Sequence, residues 1–346
     1  MAEASKSGAV CWVDHCVVPV TDLERWLDFY ARVLGAEQRP FGEGDGAPAA
    51  NLERPMRNGE FGPGAPRGRK VAFTWVGPCH VGGSVASEMR PSKGLGVGAP
   101  RYSYFIRPKE IEDHLRRLDE QNVAHLDPLR TDEEGEEGTA IRFEDPDGNQ
   151  LEFWAPVAMP DGAMDDESSA KVGRIAAATF ESRDLTRTLD FFNEFCHLEP
   201  ALDTARDKMV FPLAAGGRLV FKHVDDLGDR TLGHTPYRAL HTALVVRDEQ
   251  FLPLMRNMWE KLPEWDFDPE STVVPRETLE SLPARTCIHG APIGPEWKAT
   301  VGRGDSFCDW DTNGFHFMGA TEVDGSMAHP KGVSERAYME AEKALS

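Results

Sequence analysis

The stretch DPDGNQLEFW, residues Asp145–Trp154, decides the fold, because an altered copy of it, DWDTNGFHFM, returns at Asp309–Met318. In each copy a turn of Asp, Gly and Asn leads into a short strand with alternating apolar residues. Side chains of a strand alternate between its two faces, so Glu152 opposes its apolar neighbours in the first copy and His316 does so in the second. The repeat predicts a carboxylate and an imidazole at equivalent positions of two structural units.

Composition limits the class of protein and the kind of partner. The chain has 346 residues, 40% of them hydrophobic, which predicts two globular domains. No apolar run is long enough to span a membrane, and we expect a cytoplasmic protein. The formal charge of −20 argues against nucleic acid and anionic membranes as partners. A small molecule is the expected partner, and a homo-oligomer is left open.

The six cysteines are scattered without a Cys-x-x-Cys pair, which argues against a disulfide framework and against a thiolate zinc site. We expect reduced and mostly buried thiols.

The N-terminal stretch VCWVDHCVVPV, residues 10–20, predicts a strand with His15 on one face and Asp14 on the other. A helix follows directly. Thr21 and Glu24 have the spacing of a capping box at its start, and Gly35 marks its end. Two further strands then complete a first unit of strand, helix and strands.

The same order recurs three more times along the chain. After the second unit, RIAAATFESRDLTRTLDFFNEF matches the earlier WVDHCVVPVTDLERWLDFYARV, so that Asp184 corresponds to Asp22 and Ala177 to His15. We therefore predict an α+β fold of four βαβββ units. The predicted domains are residues 1–156 and 173–328, with a linker at 157–172 and a tail helix at 329–346.

The motif HCVVPVTDLERWLDFYARVLG, together with FEDPDGNQLEFW, resembles the vicinal oxygen chelate superfamily of glyoxalase I, bleomycin-resistance proteins and extradiol dioxygenases. Four units in one chain are most similar to the two-domain ring-cleavage dioxygenases, including those of the hydroquinone or gentisate type. The resemblance implies that two units form one cupped sheet. It also implies that a metal takes ligands from the first strand of each partner unit and from the last strand of one.

The resemblance places candidate ligands at two kinds of strand position. The first-strand positions are His15, Tyr102, Ala177 and His241, and the last-strand positions are Glu152 and His316. Pairing the first unit with the fourth gives a metal site of His15, His241 and His316. Pairing neighbouring units gives the rival set of His15, Tyr102 and Glu152.

Three neutral imidazoles leave Fe(II) with its full formal charge, which favours a doubly anionic chelating substrate. The predicted function is an Fe(II)-dependent ring-cleavage dioxygenase acting with O2 on a gentisate, hydroquinone or catechol. One alternative is a metal-free small-molecule (drug) binding protein of the bleomycin-resistance type. Another is a glyoxalase-like isomerase or lyase on Ni(II) or Zn(II).

Other side chains are weaker candidates, because each also fits a purely structural role. The candidate acid/base groups are Tyr237, His289, His223 and His80. The candidate anchors for a substrate carboxylate are Arg238 and Arg303.

Overall fold

The computed structural model describes most of the four units. The described residues are 9–36, 71–77, 79–85, 92–131, 136–164, 171–201, 207–227, 242–246, 306–308 and 313–319, with single positions at 250, 253, 254, 257, 261 and 311. The predicted tail helix at 329–346 lies outside them.

The described elements follow the predicted order of units. The helices are α1 (Leu23–Phe29), continued by a π-helical turn at Tyr30–Leu34, α2 (Ile111–Glu120) after a 3₁₀ turn at Pro108–Glu110, and α3 (Leu185–Cys196). The strands are β1 (Val10–Val20), β2 (Val71–Val76), β3 (Cys79–Val85), β4 (Arg101–Phe105), β5 (Leu129–Thr131), β6 (Gly138–Glu144), β7 (Gln150–Pro156), β8 (Ile175–Ser182), β9 (Lys208–Pro212), β10 (Arg218–His223), β11 (Thr242–Val246), β12 (Ser306–Cys308) and β13 (Gly314–Gly319).

Helix α1 begins at a different residue from the one predicted. Asp22 is its N-cap, and the Asp22 carboxylate accepts a hydrogen bond from the Arg25 backbone N–H at 3.0 Å. The predicted Thr21–Glu24 capping box is therefore wrong. The Thr21 hydroxyl instead donates to Asp147 Oδ1 at 2.5 Å, in the turn before β7. The predicted end is confirmed, because Gly35 adopts the left-handed φ of 70° that closes a helix.

The third unit repeats this helix start, as the sequence match predicts. Asp184 is the N-cap of α3 and accepts from the backbone N–H groups of Thr186 and Arg187, at 2.9 and 3.1 Å. Asp22 and Asp184 thus perform the same function in the first and third units.

Within each unit the first strand lies parallel to the last strand. These parallel pairs are β1 with β3, β4 with β7, β8 with β10, and β11 with β13. In such a unit, one edge of the first strand forms no backbone hydrogen bonds with the other strands of the same unit. The first strand can therefore pair with the first strand of another unit.

The units pair across the two halves of the sequence. Strand β1 of the first unit pairs antiparallel with β11 of the fourth, and β4 of the second pairs antiparallel with β8 of the third. The 1/4 sheet is β2-β3-β1-β11-β13-β12, and the 2/3 sheet is β9-β10-β8-β4-β7-β6-β5. Among the described strands, β1 and β8 join the two sheets by the pairing of Val13 with Ile175. The predicted pairing of the first unit with the fourth is confirmed, and the domain boundaries remain predictions.

One face of both sheets packs on the helices to form the main core. Trp26 and Tyr30 of the first unit and Phe191, Phe192 and Phe195 of α3 are fully buried in it. The opposite faces carry the polar residues considered below. Four cysteines of the described chain are buried, as predicted: Cys11, Cys16, Cys79 and Cys196.

Ala163, in the described part of the predicted linker, is packed against the 2/3 sheet. Ala163 is fully buried, and its carbonyl accepts a hydrogen bond from the Arg174 backbone N–H at 2.8 Å. Among the described residues, no helix has the length and apolar character needed to cross a membrane.

Candidate metal centre

A β-bulge in β1 shapes the candidate site. Val13 pairs with Leu244 and Cys16 with Thr242, so four residues of β1 face three residues of β11. The extra residue interrupts the alternation of side chains and re-aims them. The bulge consists of Asp14 and His15, and it lies opposite Ala243. The prediction that Asp14 and His15 occupy opposite faces is wrong for this reason.

The bulge brings the Asp14 carboxylate onto the His15 imidazole. Asp14 Oδ2 lies 2.7 Å from His15 Nδ1, and both side chains are buried. Burial raises the pKa of Asp14 to about 7. When Asp14 is ionised, His15 Nδ1 donates to it, which places the lone pair of the imidazole on Nε2. Metal-binding histidines are commonly held in this way by a carboxylate on the other ring nitrogen. Sequence reasoning did not identify the role of Asp14.

The 2/3 sheet repeats the register of the 1/4 sheet. The equivalent pairs are Val13–Leu244 with Ile175–Tyr104, and Cys16–Thr242 with Ala178–Tyr102. Strand β8 also has an irregularity, since Ala177 pairs with Ser103 but Ile175 with Tyr104. The bulge is therefore present in both sheets. It carries Asp14 and His15 in one and two alanines, Ala176 and Ala177, in the other.

This shared register identifies the equivalent positions in the two sheets. His316 pairs with Ala243 in the 1/4 sheet as Glu152 pairs with Ser103 in the 2/3 sheet. Position 241 precedes Ala243 by two residues, as Arg101 precedes Ser103. The three positions 15, 241 and 316 thus correspond to Ala177, Arg101 and Glu152. The equivalence predicted between His241 and Tyr102 is wrong by one residue, because Tyr102 corresponds to Thr242.

In the 2/3 sheet, two of these three positions are in contact. Arg101 Nε lies 3.5 Å from Glu152 Oε2, and both side chains are almost completely buried. Arg142 Nε donates to the same oxygen at 2.8 Å, and the Ser103 hydroxyl donates to Oε1 at 2.7 Å. The side chains at position 101, two residues before Ser103, and at position 152, which pairs with Ser103, therefore approach each other. A guanidinium supplies the positive charge for Glu152.

The rival set of His15, Tyr102 and Glu152 is not brought together. Strands β8 and β4 lie between β1 and β7 in the sheet. Tyr102 pairs with Leu151 on the core face, and its hydroxyl is 2.9 Å from the Thr242 hydroxyl. Burial raises the pKa of Tyr102, so its phenol stays neutral. Both oxygens of Glu152 are already bonded.

Several candidates lie outside the described residues, namely Tyr237, Arg238, His241, His289 and Arg303. For His316 and His80 the backbone alone is described. His223 is an exposed residue at the end of β10 in the 2/3 sheet, away from the bulge of β1. Its backbone N–H donates to the Asp207 carbonyl at 2.7 Å.

Position 80 has an additional property that the sequence did not indicate. Val81 pairs with Cys16 in parallel register, so position 80 stands beside His15. Its equivalent is Arg218, which pairs with Ala177. Arg218 reaches across the 2/3 sheet to within 4.4 Å of the Trp154 ring centroid. Position 80 therefore belongs to the same row of positions as the bulge.

Within the part of the chain that is described, no group of three or more His, Cys, Asp or Glu side chains is arranged to hold a metal ion. Of the three predicted ligands, His15 is the one whose side chain is described, so this result concerns His15 alone. The fit of the site to a metal therefore depends on His15, on its bond to Asp14 and on the register of positions 316 and 243.

Residues 12–153 match the model of the Glyoxalase/Bleomycin resistance protein/Dioxygenase superfamily. A crystal structure described as a putative dioxygenase from Bacillus subtilis subsp. subtilis str. 168 is similar, with 18% identity, a TM-score of 0.52, and coverage of 73% of this chain and 76% of that one. This chain has the glyoxalase fold. A glyoxalase I mutant from Zea mays shares that fold, with 12% identity, a TM-score of 0.52, and coverage of 93% and 98%.

The predicted α+β architecture of vicinal oxygen chelate units is thereby confirmed. No curated protein sequence matches this one significantly. The superfamily matched by residues 12–153 includes dioxygenases, glyoxalases and resistance proteins. One fold therefore carries several chemistries, and the activity of this chain depends on the residues of its site.

Proposed function

We propose that the chain is an Fe(II)-dependent ring-cleavage dioxygenase acting with O2 on a small dihydroxylated aromatic such as a gentisate, hydroquinone or catechol. His15, His241 and His316 would hold the ion. The observation that carries the proposal is the register of the 1/4 sheet, which aligns position 316, Ala243 and the Asp14–His15 bulge. The contact between Arg101 and Glu152 at the equivalent positions supports convergence of positions 241 and 316.

The buried residues around the bulge suit such an ion. Asp14 holds the His15 ring in one orientation and keeps the Nδ1 proton in place. Val17 is buried, and Ala243 and Val245 are completely buried, so apolar side chains surround the bulge on this face. Ala243, opposite the bulge, is small. Position 80 is a further candidate ligand, because it stands beside His15 in register.

Charge decides between classes of substrate. Three or four neutral imidazoles compensate none of the charge of Fe(II), so a dianionic chelating substrate is favoured over a neutral one. Fe(II), when bound, supplies the site at which the ionised aromatic and O2 react. The protein's contribution is to hold both in place and to keep water out.

The test is purification without oxygen, followed by metal analysis and O2 uptake. We expect close to one iron per chain and O2 consumption with at least one of gentisate, hydroquinone and catechol. Exhaustive chelation should abolish the activity, and ferrous salt with a reductant should restore it. Two irons per chain, or full activity after chelation, would contradict the proposal.

Ligand variants localise the site. Replacement of His15, His241 or His316 by Ala should each remove most of the iron, because losing one of three ligands weakens binding and changes the geometry. His125→Ala is the matched control, since His125 bonds to Asp119 at 3.2 Å in the second unit. It should retain iron. Isomerase activity with Ni(II) or Zn(II), without O2 consumption, would point to the glyoxalase-like alternative.

A further inference from the structure

Arg174, immediately before β8, is a buried cation that has no carboxylate partner among the described residues. Its side chain is 5% exposed, and its Nη2 donates to the Ala215 carbonyl. Its Nε has no hydrogen-bond partner. Burial lowers the pKa of Arg174 from its ordinary value. Buried arginines are normally paired, because an isolated buried charge is costly.

The guanidinium of Arg174 lies between two aromatic rings. Its central carbon is 5.7 Å from the Trp12 ring centroid and 6.0 Å from the Phe105 ring centroid. Such contacts engage the face of the guanidinium plane. Carboxylates bind instead to the edge of that plane, through two parallel N–H groups. The Nε–H of Arg174 lies on this edge and has no partner.

Trp12 connects Arg174 to the candidate metal centre. It is partly exposed, and it packs against Cys11, Ala243 and Val245 on the face of the bulge. Ala243 lies opposite the Asp14–His15 bulge. Trp12 and His15 are three residues apart, which is about 10 Å along a strand. That length is comparable to an aromatic ring with its substituents.

We propose that Arg174 binds a carboxylate of an aromatic ligand in the 1/4 sheet, with the Trp12 ring beside it. The chain has a formal charge of −20, which repels anions at long range, so a carboxylate needs a local cation. The Arg174 guanidinium, which has no counter-ion in the part of the chain that is described, provides a cation that is already desolvated. That this ligand is the substrate rests on the proposed function. Carboxylate binding itself does not.

The experiment uses metal-free protein and a pair of simple probes. Benzoate carries the carboxylate, and benzamide is its neutral analogue. Calorimetry or ligand-detected NMR should show benzoate bound at least ten times more tightly than benzamide. Arg174→Met should remove that difference, and Arg174→Lys should restore part of it. Equal affinities for the two probes in the parent protein would overturn the inference.

Arg218→Met is the matched control. Arg218 is also buried and lies over a Trp ring, but it donates to Glu136 at 2.8 Å in the 2/3 sheet. The Arg218→Met variant should bind benzoate as tightly as the parent protein does. If Arg174 acts only as a clamp on the Ala215 carbonyl, Arg174→Met would lower the thermal midpoint without changing benzoate affinity, and the inference would be wrong.

The two proposals can fail separately. Benzoate binding that depends on Arg174, in a protein without iron or O2 uptake, would support the anion site and contradict the dioxygenase. With an active dioxygenase, Arg174→Met should raise KM for gentisate at least tenfold and leave KM for hydroquinone, which has no carboxylate, within about twofold. An equal change for both substrates would contradict the carboxylate contact.

Discussion

The Glu152→Ala variant tests whether the two sheets have different roles in stability and in metal binding. Glu152 is 1% exposed and accepts hydrogen bonds from Ser103 and Arg142, with Arg101 Nε at 3.5 Å. Its removal leaves the fully buried Arg101 without this carboxylate. Breaking a buried ion pair in this way costs about 3–5 kcal/mol. With an unfolding entropy of about 2 cal/mol/K per residue, a chain of this length should lose roughly 4–7 °C of its thermal midpoint.

The Glu152→Ala variant should lose stability without losing its bound metal. Glu152 belongs to the 2/3 sheet, and its equivalent in the 1/4 sheet is position 316. We therefore expect Glu152→Ala to retain close to one iron per chain when measured well below its thermal midpoint. The free energy of unfolding comes from denaturant titration of the metal-free protein, and the iron content from elemental analysis of protein purified without oxygen.

The control is Glu137→Ala, which removes an exposed ion pair with Arg130. Exposed pairs contribute at most about 1 kcal/mol, so this variant should stay close to the parent. If Glu152→Ala lost its iron while keeping its stability, the carboxylate would be a ligand. The rival set of His15, Tyr102 and Glu152 would then replace the site proposed above.

Three further changes test the bulge, the shared register and a buried histidine. Asp14→Asn should weaken metal binding about 10–100-fold while the fold is retained, as measured by metal titration and circular dichroism, because the carboxylate that orients His15 is lost. The double change Ala177→His and Arg101→His should raise metal binding from one ion to two, measured by elemental analysis; an unchanged stoichiometry in a folded variant would contradict the shared register. Burial lowers the pKa of His114 to about 4, so the parent should lose up to ~3 kcal/mol relative to His114→Phe as pH falls from about 6.5 to 4.

Much of the fold could be predicted from patterns that depend on local chemistry. The first strand, residues 10–20, was predicted with the boundaries that it has. The sequence match of Asp22 with Asp184 was correct, although the predicted cap of the first helix was Thr21 and not Asp22. Both signals depend on short-range preferences, namely strand alternation and the hydrogen bonds of an N-cap. The resemblance supplied the arrangement of units, and pairing the first unit with the fourth placed three histidines at its ligand positions.

The details of the site could not be predicted, because they depend on register between distant strands. Strict alternation separated Asp14 from His15, whereas a bulge opposite Ala243 joins them. Matching the first strands by sequence alone placed Tyr102 in the row of Glu152, although Ser103 occupies that row. A shift of one residue moves a side chain to the other face, so small errors of register change every assignment.

The two sheets also show why one metal ion per chain is the expected number. Each sheet has the same bulge and the same row of positions, and a row that holds a carboxylate needs a cation beside it. In the 2/3 sheet Arg101 and Arg142 provide that cation within the chain, so Glu152 has no capacity left for a metal. In the 1/4 sheet the equivalent positions, 241 and 316, are histidines, which carry no charge when neutral and retain a lone pair. Neutral imidazoles at these two positions, beside an oriented His15, would gain most from an external cation, so we expect the metal ion in the 1/4 sheet.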